Sequence, residues 1–108
     1  MSTQTPVFLI AQLETIDLER HFQEYGIPVL SILKDYNAEV LVATPELKVL
    51  EGNYKHNLTA IIKFLSAEDA ERFYQSPAYQ PLKAIRLENT HPETSWLAIA
   101  PAFTGLPQ

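Results

Sequence analysis

The sequence predicts a single α+β domain of order strand-helix-strand-strand-helix-strand, and three observations point to it. The chain has 108 residues, enough for one domain and too few for two. Four short apolar runs rich in β-branched and aromatic residues are separated by stretches whose apolar residues recur at helical spacing. An apolar fraction of 46% with 19% charged residues and three glycines belongs to a chain that fills a core, not to a disordered one.

Val7 to Leu13 reads as the first strand, bounded by Pro6 and polar residues. Thr15 or Asp17 can cap the helix that follows. Leu18, Phe22, Tyr25, Val29, Ile32, Leu33 and Tyr36 then recur at steps of three and four, placing them on one face of a helix reaching to about Asp35. Pro28 cannot donate to the carbonyl of Glu24, so a kink, or a split into two helices, is expected there. Glu39 to Ala43 is the second strand. After a turn at Thr44-Pro45-Glu46, Leu47 to Leu50 reads as an extended arm ending at Glu51-Gly52-Asn53. Leu58 to Leu65 is the third strand.

Ser66-Ala67-Glu68-Asp69 combines a hydroxyl cap with an acidic first turn and starts the second helix. Ala70, Phe73 and Tyr74 supply its buried stripe. Ser76-Pro77 is expected to open a further helical piece, which Pro81 should distort. Ser95 to Ala100 closes the domain as the fourth strand, with Trp96 near its start. Residues 1–6 thus read as a disordered or extended N-terminus, 7–100 as the domain, and 101–108 as an extended C-terminal tail.

Both faces of these strands carry apolar residues. Two helices cover only one face, so an outward set of Phe8, Ile10, Ile61, Leu97 and Ile99 is expected to seek a partner. A second copy of the chain, packed sheet to sheet, removes that exposure with a symmetric interface, so a homodimer is expected.

Composition excludes several function classes. The formal charge is -5 and the basic residues are scattered, without the cluster that displaces counterions from a polyanion, so nucleic acid is not expected as a partner. The absence of Cys removes disulfides, thiolate metal sites and a thiol nucleophile, and fits a reducing cytoplasm. No signal peptide or membrane span is visible. His21, His56 and His91 are dispersed without metal-type spacing, so neither a metal nor any other cofactor is expected. No glycine-rich phosphate loop or nucleophile elbow is present, and caps account for Ser66 and Ser76. His21 and Tyr25 share a helical face, where a surface histidine beside a packed tyrosine is the simpler expectation. His56, beside Tyr54, can serve as a base if a pocket opens there.

The segment Phe64-Leu65-Ser66, Ala70, Phe73-Tyr74, Ser76-Pro77, Tyr79, Leu82 and Arg86, with Glu51-Gly52 upstream, resembles the signature of the domain-of-unknown-function-1330 family. The likeness spans about residues 7 to 100. It implies a ferredoxin-like fold that dimerises into an α/β barrel. That superfamily includes cofactor-free monooxygenases, lactone isomerases, haem enzymes and amino-acid-sensing domains, so the fold by itself assigns no reaction. The chain departs from its relatives at Asn37-Ala38, where they usually have a glycine pair. It departs again at Ala43-Thr44-Pro45, where they have an arginine followed by glycines.

The expected ligand site is a cleft between the helices and the arm from Leu47 to Tyr54, lined by Tyr25, Glu51, Tyr54, Tyr79 and Arg86. Arg86 follows Tyr79 by two helical turns and is suited to a two-pronged grip on a carboxylate, with the tyrosines orienting a neutral group beside it. A bridge from Arg86 to Glu51 is the alternative that needs no ligand. Two functions remain open on the sequence: a dimer that binds a small apolar or carboxylated metabolite, with or without turnover, and a structural or regulatory dimer with a filled core.

Overall fold

Buried and half-buried residues alternate without a break along Val7–Leu13, and this strand, β1, is central to the sheet. In the computed structural model, which describes residues 5–105, β1 lies between β3 (Leu58–Phe64) and β4 (Trp96–Pro101). β2 (Glu39–Thr44) pairs with the far side of β3, giving the order β2-β3-β1-β4 with every pairing antiparallel. The result is a mixed α+β fold whose strands lie within one residue of the four apolar runs. The readings for residues 1–4 and 106–108 lie outside the described residues.

The first helical stretch begins at Asp17, whose side chain accepts from the Arg20 amide as the cap, and runs as one rod through α1 (Leu18–His21), a π turn (Phe22–Gly26) and α2 (Ile27–Lys34). The disruption expected at Pro28 takes the form of that π turn: the Ile27 amide reaches back to the Phe22 carbonyl. The extra residue leaves Pro28 in the first turn of α2, where its missing N–H breaks no bond. At the end of the rod Asn37 has a φ of 56°, the left-handed conformation a glycine would take and which asparagine tolerates.

Ser66 caps α3 (Ala67–Gln75) through its hydroxyl, as its sequence implies. The second piece opens at Ser76-Pro77 as expected, the Ser76 hydroxyl accepting from the Tyr79 amide at 3.3 Å, but as a turn before it is a helix. Ser76 ends α3, residues 77–79 form a turn, and α4 (Gln80–Glu88) starts after Tyr79. Pro81 therefore falls in the first turn of α4 and distorts nothing, because the amides there have no intrahelical acceptor.

The rod and α3 pack on the sheet face that carries Val7, Leu9 and Phe64, closing a core with Val29, Leu33, Ala70, Phe73 and Tyr79. Phe73 lies 4.6 Å from the Tyr79 ring and 5.6 Å from that of Phe64, so aromatic packing fixes the place of Tyr79. The pairing register corrects the outward set. Leu97 stands opposite Ala11 and Ile99 opposite Leu9, so both face the helices; Trp96 and Ala98 face outward instead. The outer face carries an apolar row of Val42, Ile61, Ile10 and Ala98 and, beside it, a polar row of Thr44, Thr59 and Gln12. Among the described residues no helix is long and apolar enough to cross a membrane.

Candidate functional site

Below the rod, the inner face of the sheet does not meet the helices everywhere. A pocket of about 210 Å³ remains, floored by small or medium side chains from the strands (Ala11, Ala43, Ala60, Ile62) and roofed by Phe22, Val29, Leu30 and Leu33. Three alanines in that floor explain the space: a sheet with larger residues there would fill it. The lining is apolar except for His21, Tyr25 and Arg86.

These polar groups arrive from the rod and from α4. His21 and Tyr25 lie one turn apart at the junction of α1 and the π turn, with their rings 4.8 Å apart. Arg86 comes from the last turn of α4. The Tyr25 and Tyr79 hydroxyls are 2.7 Å apart, and Arg86 Nε donates to the Tyr79 hydroxyl at 3.3 Å. With Tyr79 accepting from the guanidinium, its own hydrogen can go to Tyr25, which leaves the Tyr25 hydrogen for a further acceptor. Burial, reinforced by Tyr79, holds the Tyr25 hydroxyl well above its ordinary pKa, so it stays a donor.

Arg86 is 5% exposed, and among the described residues no carboxylate lies within ion-pairing distance of it. His21 is 3% exposed, its Nδ1 is enclosed without a hydrogen-bond partner, and no partner is found for Nε2 among the described residues. Burial, and after it the charge of Arg86, lowers the His21 pKa to about 4. The imidazole is therefore neutral at pH 7. As pH falls, the unfolded chain takes up this proton first, at the ordinary value of 6.5, so stability present above that pH is lost on the way down to about 4. Between pH 7.5 and 4.5 the loss from this one group is roughly 2.5 kcal/mol. Urea unfolding at the two pH values should show it as a steeper acid loss in the wild type than in His21→Leu.

The structure brings together Tyr25, Tyr79 and Arg86 and separates them from Glu51 and Tyr54. Glu51 is exposed, and its neighbour Gly52 has a φ of 91°, so the Glu-Gly pair is explained by a turn only glycine enters without strain. The Arg86–Glu51 bridge does not form. Tyr54 bonds the Thr59 hydroxyl at 2.8 Å, and Thr59 points to the outer face with Gln12, its acceptor at 2.7 Å. Tyr54 is thus across the sheet from Arg86. His56 bonds the Thr94 carbonyl at 2.7 Å and lines a loop rather than this pocket. His21, expected at the surface, is buried instead. The signal for it was present, since His21 lies three residues after Leu18 and four before Tyr25, inside the apolar stripe.

The fold is shared with solved proteins. The crystal structure of RPA0582, a protein of unknown function from Rhodopseudomonas palustris, is similar with a TM-score of 0.76 and 12% identity, over 94% of this chain and 85% of that one. The structure of the methylated RPA0582 protein matches with the same score and identity, over 94% and 83%. At that identity the likeness concerns the fold alone. No curated protein matches the chain. The family described as domain of unknown function DUF1330 matches residues 6–98, and the chain belongs to that family.

Proposed function

We propose that this protein is a ferredoxin-like homodimer, each subunit of which binds a small, largely apolar monocarboxylate between its helices and its sheet. The observation that carries the reading is Arg86, a buried guanidinium in the lining of an apolar pocket with no acidic partner among the described residues. A buried charge without a counter-charge is strongly unfavourable, and a bound carboxylate supplies what the chain does not. The Tyr25 hydroxyl, 2.7 Å from that of Tyr79, would donate to the same anion. An apolar cavity of about 150 Å³ accommodates a benzene ring. A pocket of about 210 Å³ therefore has room for a ring or branched chain beside the carboxylate. The dimer rests on the apolar row of the outer face, which a second copy would cover. A structural dimer with a filled core, the other reading, is disfavoured by the pocket itself.

Isothermal titration with 4-methylpentanoate and with its neutral amide tests the reading. The acid should bind at least about tenfold more tightly than the amide, a difference of about 1.4 kcal/mol. Equal affinities, or no binding of the acid, would remove the carboxylate from the proposal.

A further inference from the structure

An anion on Arg86 leaves one polar side chain of the pocket unanswered. His21 lines the same cavity, lies close enough to Arg86 for that charge to act on it, and has no hydrogen-bond partner on either ring nitrogen among the described residues. Nδ1 is closed off with nothing to bond, which is unfavourable unless the ring turns to present it to something that enters the pocket. Apart from Tyr25 and Arg86, which both bond the Tyr79 hydroxyl, the lining is apolar, and neither of the two is hydrogen-bonded to His21.

From this juxtaposition we infer that the ligand carries a hydroxyl group on the carbon next to its carboxylate, received by His21, so that the pocket selects 2-hydroxy acids with a short apolar side chain. The inference rests on the carboxylate reading above and adds the group beside the carboxylate. Three chemical facts narrow the choice. First, a neutral imidazole presents one donor and one acceptor, and turning the ring over exchanges which atoms face the pocket. A hydroxyl both donates and accepts, and so satisfies either arrangement. Second, the group must be close to the carboxylate, because both residues line the cavity and are joined through Tyr25, whose ring lies 4.8 Å from that of His21 and whose hydroxyl meets that of Tyr79, the acceptor of Arg86. Third, the group must be uncharged. Burial, and after it the field of Arg86, already opposes a positive charge on His21, and an ammonium in the same place would meet both. Amino acids are thereby selected against, although they differ from the hydroxy acids at a single group.

Four proteins and three probes decide the matter by calorimetry: wild type, His21→Leu, His21→Gln and Arg86→Met, each titrated with 4-methylpentanoate, its 2-hydroxy derivative and leucine. In the wild type the hydroxy acid should bind about tenfold more tightly than 4-methylpentanoate, and leucine at least about tenfold more weakly than 4-methylpentanoate. His21→Leu should shrink the hydroxyl advantage, read as the ratio of the two acids' affinities within each protein, to less than about twofold, and His21→Gln, which keeps a donor and an acceptor, should restore most of it. Arg86→Met should weaken both acids together. Equal binding of the hydroxy and unsubstituted acids by the wild type overturns the inference, and would mean that water satisfies His21 in the occupied pocket. An advantage that survives in His21→Leu overturns it too, and so does preferred binding of leucine. If 4-methylpentanoate binds through Arg86 while the hydroxyl adds nothing, the carboxylate reading stands and this one falls; if no acid binds, both fall. Circular dichroism and thermal melting of each variant separate loss of the site from loss of the fold.

Discussion

Arg86→Met is expected to leave the fold intact, to raise its stability and to weaken carboxylate binding by about a hundredfold or more. Methionine matches the length of the aliphatic stem and fills much of the same volume, so the packing of α4 against the π turn persists. The guanidinium it removes is enclosed and without an acidic partner among the described residues, so the unliganded protein is relieved of an unfavourable buried charge. The loss on the other side is the long hydrogen bond from Nε to the Tyr79 hydroxyl at 3.3 Å and the guanidinium's approach to Tyr25, while the Tyr79 hydroxyl keeps Tyr25 at 2.7 Å. A gain of about 1–3 kcal/mol in urea unfolding at pH 7 is the expected balance. Lower stability with retained binding would mean that Arg86 is a structural tie. The opposite pattern, firmer fold and lost binding, marks a residue retained for what it holds.

The second large effect concerns the outer face. Wild-type protein should scatter light at twice the 12.2 kDa chain mass at micromolar concentration, and Ile61→Asp should scatter at the mass of one chain. Ile61 stands in the apolar row, opposite Ile10 on β1 and Val42 on β2. In a lone subunit it is half-buried, and a carboxylate there would reach water at modest cost. In a sheet-to-sheet dimer the same carboxylate is enclosed and unpaired, which costs several kcal/mol per subunit and acts twice in a symmetric interface. The expected product is therefore a folded monomer, checked by circular dichroism. A wild-type protein that scatters as a single chain, or an Ile61→Asp variant that remains a dimer, would remove the outer face from the interface. The polar row of Thr44, Thr59 and Gln12 beside Ile61 sets a limit on how much of that face is dry.

Short-range periodicity carried much of the architecture. Alternation along Val7–Leu13 needs only the two-residue repeat of an extended chain, and the α3 cap needs only Ser66 followed by acidic residues, so both were legible before any packing was known. The meeting of Tyr79 and Arg86 was legible for the same reason, since seven residues are two turns of one helix. Contacts made across elements were not. Which face Leu97 and Ile99 occupy depends on how β4 is registered against β1, and a slip of one residue reverses every side chain on the strand. The route of the chain from β2 to β3 has no repeat to read, which is why Glu51 and Tyr54 were expected beside Arg86 and lie apart from it.

The sequence by itself therefore determined the four strands, the helical stretches and their order, and put Tyr79 and Arg86 on one helical face, because each depends on residues a few positions apart. Only the tertiary structure decided that Arg86 lacks an acidic partner, that His21 is enclosed beside it, and that alanines from three strands leave a pocket under the rod. Burial and pairing are properties of everything that surrounds a group, and those surroundings are assembled from α1, the π turn, α4 and the sheet, far apart along the chain.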